Sequence, residues 1–361
     1  MSFVILRLGS VILFLSILVG STLVHAISVQ LSSFDDFNRL SEAREESVPH
    51  LQEQMTVADA RHLLERAGIG AHPTEIQALL GKTRSEAISV MIAQLDVSEP
   101  LLAYPAAVAD TYQYNWIASD LEPQDAQAFR NARDLEIGQL RGWWVREMLS
   151  TDRPAGERLM LIWHNHFVTA YSSIEGAARA MYLQHSMFRK VGFSDFRTIL
   201  RSVLRDAAML RYLDNETNKK DSPNENLARE LMELFVLGEG VYTQEDVREV
   251  ARALTGNTFS EIADYAFQFD GDVHDAGIKT ILGETGSFDA DDAIDILLSQ
   301  PVAAEFLSSQ FWRAYVSEYN EDPQEITAIA QAFRKSDYDI RTLVRATLAS
   351  RGFWAIENRG T

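Results

Sequence analysis

The sequence predicts a mostly α protein, a multi-helical orthogonal bundle with one short β-hairpin. Three observations lead there. Helix-start signatures recur, a Ser or Thr followed three residues on by an acid: Thr56 with Asp59, Thr83 with Glu86, Ser222 with Glu225, Thr243 with Asp246. The apolar residues after each start keep helical spacing until a glycine. One stretch, Tyr265–Phe269, instead alternates with the period of a strand. Hydrophobic residues make up 46% of the 361, enough for a sizeable core and too many for a disordered chain.

Taken in order, the chain opens on a targeting segment. Arg7 is the only charge before the apolar run Val11–Val24, and Val24-His25-Ala26 suits a signal peptidase. Residues 1–26 are therefore expected to be a signal peptide, or else an N-terminal anchor, since Val4–Ala26 is long enough to span a bilayer. Either way the protein is expected outside the cytoplasm, periplasmic or secreted, or held to the membrane by residues 4–26. Residues 27–54 are polar and acidic and read as a linker. Residues 55–361 read as a single helical domain, with 55–97 a small helical subdomain of three capped, glycine-stopped helices. Glu99–Asp110 connects it to a long helix, Gln124–Ser150, whose core is expected from Leu135, Leu140, Trp143, Trp144 and Met148. Gly138 and Gly142 weaken that helix or allow close packing. Helices over Arg158–Ala170, Glu175–Val191 and Asp195–Leu213 come next.

Ser222–Gly256 reads as an αα-hairpin. Ser222 caps, Pro223 takes the first helical position, Gly238 and Gly240 make the turn, Thr243 caps again and Gly256 closes. Tyr265–Phe269 is then expected to pair with Lys279–Leu282 across the loop Asp270–Ala276. Helices resume at Asp289–Ser299, Val302–Glu318, Pro323–Lys335 and Ile340–Ala349.

Composition excludes several function classes. A net charge of −19 disfavours nucleic acid and anionic headgroups, and suits cationic or neutral partners or metal ions. With no cysteine there are no disulfides, no thiolate catalysis and no thiolate metal site. The chain has no HExxH, G-x-S-x-G, Walker A or Rossmann glycine pattern, which weighs against zincins, α/β-hydrolases and nucleotide-binding enzymes.

Three places hold chemistry-bearing residues. The helix after Ser222 is apolar nearly all round, with Leu227, Leu231 and Leu234 on one face, so it is expected to be buried. Asn226, Glu230 and Glu233 form a polar stripe on it, with Glu225 and Arg229 beside it, and Arg248 and Arg252 share a face of the next helix. Buried carboxylates must be paired, hydrogen-bonded or metal-bound. The first reading is an internal ion network of Glu230 and Glu233 with Arg252 and Arg248; the second makes the carboxylates metal ligands or acid–base groups. The second place is the loop from Asp214 through Asn218 to Glu225, which has oxygen side chains at EF-hand spacing. Lys219 stands where that loop needs glycine, leaving either a looser Ca²⁺ site of Asp214, Asn218 and a carboxylate, or plain capping. The third place is Trp163–Phe167, with His164 and His166. Two residues apart on a helix their side chains diverge by about 200°, so only one reaches any given site. They read as core-edge histidines, or one as a metal ligand or general base. His62 reads as structural.

PNENLARELMELFVLG (223–238) followed by YTQEDVREVARALTG (242–256) resembles the bacterial family called domain of unknown function 1800. RHLLERAGIG (61–70), ERLMLIWHNHF (157–167), AAMLRYLDN (207–215), HDAGIKTILG (274–283) and RGFW (351–354) match in family order. The resemblance covers about 55–361. It implies an exported, mostly helical bacterial protein, encoded beside a second exported family related to the sulfatase and alkaline-phosphatase fold, and it carries no catalytic residue. Phe235-Val236 and Asn257 depart from the family pattern, which has an aromatic or His followed by Thr, and a Trp, at these places. The family continues past RGFW, so a C-terminally truncated or a divergent member is expected. Two functions follow: a partner or scaffold for a co-exported protein of sulfatase/phosphatase-like fold, or a metal-dependent hydrolase. The latter would use a divalent metal, carboxylates of residues 214–233 and His164 or His166.

Overall fold

The computed structural model describes residues 48–109, 122–174 and 177–359. The expected targeting segment, and the linker up to residue 47, lie outside the described residues. The chain divides into two units, Met1–Gln52 and Glu53–Thr361. The described part of the first includes a 3-10 turn, Pro49–Leu51. The structure is 62% helical, with sixteen α-helices and two short antiparallel hairpins among the described residues. No helix among those residues is long and apolar enough to cross a membrane.

Within the second unit, the local signals translate directly. Thr56 and Asp59 close a capping box on α1 (Val57–Ala67), and Thr83 and Glu86 close one on α3 (Arg84–Ala93). Between them lies α2 (Pro73–Leu79), opened by its proline. A buried polar seam ties α1 to a segment nearly 300 residues away: His62 Nε2–H donates to the Phe353 carbonyl at 2.7 Å, Arg359 pairs with Asp59, and the Arg84 guanidinium lies 4.7 Å over the Trp354 ring. Burial pushes the His62 pKa down to about 4, which fits a structural, neutral imidazole.

The short α4 (Ala106–Ala109) leads to α5 (Pro123–Ser150), which packs against α7 (Ala178–Val191). Ile137, Leu140 and Trp143 are buried there, but Leu135, an expected core residue, is 64% exposed. It lies on the opposite side of the helix from Leu140. Between them in the chain runs α6 (Pro154–His166), whose Trp163 is fully buried with its indole N–H donating to the Gly192 carbonyl at 2.7 Å. The expected Asp195–Leu213 helix is two pieces, α8 (Phe196–Val203) capped by Asp195 and α9 (Ala207–Tyr212) capped by Asp206.

The central hairpin begins later than the Ser222 signature implies. Ser222 N–H donates back to Lys219 O in a tight turn, and Asn224 Oδ1 accepts from Asn226 N–H, so α10 starts at Asn226 (Asn226–Glu230). Glu225 makes no capping bond there. The helix continues as a π-helix, Leu231–Val236, in which Leu237 N–H reaches back five residues to Met232 O. A π turn is wider than an α turn and shifts which residues share a face. Leu234, expected on the buried face with Leu227 and Leu231, is accordingly 52% exposed. Gly238 then ends the helix at φ +80°, where a Cβ would also stand 3.0 Å from the Phe306 ring. Thr243 and Asp246 box the start of α11 (Gln244–Ala253) as expected.

Two hairpins follow instead of one. β1 (Asn257–Ser260) pairs with β2 (Ala266–Phe269), and β3 (Lys279–Ile281) with β4 (Glu284–Gly286). The strand character of Tyr265–Phe269 is as expected from Ala266 on, but its partner precedes it, so each pairing closes a short loop. The last helices are α12 (Ala290–Ser299), α13 (Pro301–Tyr315), α14 (Pro323–Lys335), α15 (Ile340–Ala349) and α16 (Arg351–Trp354). α13, α14 and α15 pack on one another, and α15 packs on α3.

Candidate functional site

α6, the π segment and α13 wall a groove of about 830 Å³. Helical spacing puts Arg158, Leu161, Ile162, Asn165 and His166 along the face α6 turns to it. α10 contributes Glu230, and the π segment and the turn after it Glu233, Leu234, Phe235 and Glu239; α13 contributes Phe306, Gln310, Phe311 and Ala314. The result is a trough of mixed polar and apolar lining with acids at one wall.

Those acids are the unusual feature. Glu230 is half-buried and has neither an ion pair nor a hydrogen bond among the described residues. Burial, then the neighbouring Glu233 charge, push its pKa up, with Arg229 opposing. Glu233 accepts a hydrogen bond from Tyr242 Oη at 2.9 Å. Arg158, the groove's one arginine, donates to Ala314 O at 3.1 Å. His166 Nε2–H donates to Phe235 O at 3.0 Å, fixing the tautomer and leaving the lone pair on Nδ1. Burial holds its pKa down at about 4, so the ring is neutral near pH 7.

The two histidines of Trp163–Phe167 diverge as helical geometry requires. His166 lines the groove; His164 turns away, with its Nε2 3.2 Å from His185 Nδ1 and its ring 4.9 Å from that of Trp144. Burial pushes His164 to about 4 as well.

The expected network of Glu230 and Glu233 with Arg252 and Arg248 does not form. Arg252 pairs with Glu249 at 2.8 Å and Asp275 at 2.7 Å, and Arg248 with Glu245 at 2.9 Å and Glu225 at 3.5 Å. Glu245 and Glu249 stand three residues from their arginines on α11, Asp275 lies in the connection between the two hairpins, and Glu225 lies just before α10. A fully buried ion cluster exists elsewhere: Arg189 lies 2.6 Å from Glu157 and 3.6 Å from Glu147. Trp144 Nε1–H donates to Glu157, and the Leu101 and Leu102 amides to Glu147.

The Asp214–Glu225 loop is braced from within. Asn218 is buried; its amide donates to Ala251 O at 2.9 Å and its Oδ1 accepts from Asn224 N–H. Glu225 pairs with Arg229 at 3.0 Å and accepts from Gln244 Nε2. Asp214 is exposed, with Asn226 Nδ2 at 3.4 Å. These oxygens are spent on protein donors, and no group of three or more His, Asp or Glu among the described residues is arranged to hold a metal ion. The structure thus brings together Glu230, Glu233 and His166, and leaves Asp214, Asn218, Glu225, Asn226, Arg229, Arg248, Arg252 and His164 outside the groove. Arg158 was not among the expected residues, although it shares the four-residue spacing of Ile162 and His166. Gln310 carries no such signal.

A family model described as "Protein of unknown function (DUF1800)" matches residues 62–361. No curated protein and no solved structure matches the chain.

Proposed function

The chain belongs to the DUF1800 family, proteins of unknown function, and on that footing we propose that it acts by binding: the groove takes a cationic, apolar-flanked segment of a partner protein. The carrying observation is the pair Glu230 and Glu233, neighbours in a groove that also exposes apolar side chains, with no arginine ion-paired to either among the described residues. Their mutual repulsion is relieved by a Lys or Arg supplied from outside, while the trough buries the flanking apolar residues. The partner in view is a co-exported protein of sulfatase/phosphatase-like fold, the neighbour that the family resemblance implies. The same proposal puts the chain outside the cytoplasm, on the strength of Val11–Val24 and Val24-His25-Ala26.

The test mixes the two purified proteins in a calorimeter. The expected result is a one-to-one complex weakened at least about tenfold by Glu230→Lys with Glu233→Lys, and unaffected by Arg201→Ala on a remote surface. No complex, or one indifferent to both charge reversals, overturns the proposal. A second reading, metal-assisted hydrolysis, has one observation in its favour, His166 in the same groove as both carboxylates, although the three are not arranged as an ion-holding group. Stoichiometric Zn²⁺ or Mn²⁺ uptake abolished by Glu230→Gln and by His166→Ala, with the fold intact, would select it over binding.

A further inference from the structure

We propose that the groove has two poles and takes an extended partner segment that carries an Asp or Glu side chain four residues from its Lys or Arg, the carboxylate on Arg158 and the cation at Glu230 and Glu233. This rests on the binding reading above and adds a second specificity element to it. The acids belong to one end of the groove. The π segment meets α6 where His166 donates to Phe235 O, two residues after Glu233. Arg158 marks the other end. It stands eight residues before His166, about 12 Å along the helix axis, and donates to Ala314 O on α13. The Phe306 ring of α13 lies 6.4 Å from that of His166. α13 therefore runs antiparallel beside α6 and keeps the same two ends apart.

What Arg158 lacks is an anion. No acid pairs with it among the described residues, and its Nε is buried without a hydrogen-bond partner. Arg66 donates to Tyr315 O at 2.8 Å and to Val316 O at 3.1 Å, close enough for the Arg158 charge to disfavour its own. The Tyr315 hydroxyl, fully buried within reach of the Arg158 charge, has no partner either. The carbonyls that end α13 carry only partial charge and do not neutralise Arg158. A carboxylate does, through charge-assisted hydrogen bonds from the nitrogens that Ala314 O does not occupy. The spacing follows from length. A lone amino acid is too short to reach both poles. An extended chain rises about 3.3 Å per residue, so four residues cover about 13 Å, and an even number keeps both charged side chains on one face. The residue midway between them on that face meets the apolar lining, Phe235 and Phe306.

The test is calorimetry on the full chain with peptides blocked at both ends. SVKSLSEVS carries the acid four residues after the lysine; SVKELSSVS has the same composition with the acid adjacent; SVKSLSQVS has no acid. The first should bind wild type at least about tenfold more tightly than either of the others. Arg158→Gln should abolish that preference and leave SVKSLSQVS unaffected, which separates a lost contact from a damaged fold. Equal binding of all three peptides, lost on Glu230→Lys with Glu233→Lys, overturns this inference and leaves the binding reading standing. Binding of none of them overturns both. Tighter binding of SVKSLS with a free terminal carboxylate assigns the arginine pole to a chain end and overturns the side-chain assignment. The comparison of peptides on wild type decides the matter even if Arg158→Gln fails to fold.

Discussion

Asp206 caps α9 from a nearly buried position, accepting from Met209 N–H at 2.9 Å and from Gln184 Nε2 at 2.7 Å. Burial pushes its pKa up to about 7, the hydrogen bonds pulling the other way without matching it. The folded protein therefore keeps this proton over a range in which the unfolded chain, with a carboxyl near ~3.9, has lost it. Its contribution to stability is full below about pH 4 and drains as pH rises through 7, by a few kcal/mol in order of magnitude. Asp206→Asn retains a capping acceptor and removes the titration. Urea midpoints taken from pH 4 to 7 should fall in wild type relative to the variant; parallel curves would clear Asp206 of the effect. The same physics of burial marks Glu230, but in the groove a second carboxylate adds to it, which is why that residue points to a partner and Asp206 does not.

At the scale of elements, α11 shows how a local signal is read out. Thr243 and Asp246 bond each other's backbone N–H, at 2.8 and 3.2 Å, and Asp246 Oδ1 also accepts from Leu282 N–H at 2.8 Å. Thr243→Ala should cost about 1 kcal/mol, the usual worth of a cap. Asp246→Ala should cost more, about 2 kcal/mol, because it also strips the β3–β4 turn of its acceptor. Equal losses in thermal unfolding would mean that the Leu282 bond contributes nothing. Signals of this kind involve residues three apart, so Thr56, Thr83, Thr243 and Asp289 were legible in the chain itself. Ser222 had the same spelling, but Asn224 and Asn226 compete for the start three residues on, and the turn at Lys219–Ser222 wins. The π segment was illegible because a wheel drawn at α period assumes the turn it is meant to test. The Asn257–Ser260 strand lacks alternation, so nothing in it announced a partner for Ala266–Phe269.

At the scale of the molecule, four histidines among the described residues are held neutral by burial. His62, His164 and His166 are pushed down to about 4, and His185 well below its ordinary value. A depressed histidine contributes stability that is present above its unfolded pKa, near ~6.5, and lost as pH falls toward the folded value. Each adds up to about 1.4 kcal/mol per pH unit to that loss. Acidification from pH 7 to 4 should therefore unfold the protein cooperatively, with calorimetric uptake of more than two protons on unfolding near pH 5; less than one would exclude the histidines as the cause. The groove itself belongs to this scale, since residues of α6, the π segment and α13 meet only in the folded chain. Sequence spacing could nominate Glu230, Glu233 and His166 separately, and their meeting is tertiary. The seam between α1 and the Phe353–Arg359 stretch has a further consequence, in time rather than in energy. Phe353 follows His62 by 291 residues and Arg359 follows Asp59 by 300, so each leaves the ribosome long after its partner on α1. α1 must therefore wait for the Phe353 carbonyl and the Arg359 guanidinium while that intervening chain is made. Closing so long a loop is slow relative to local helix formation, so folding of this unit is completed only once translation has passed Arg359.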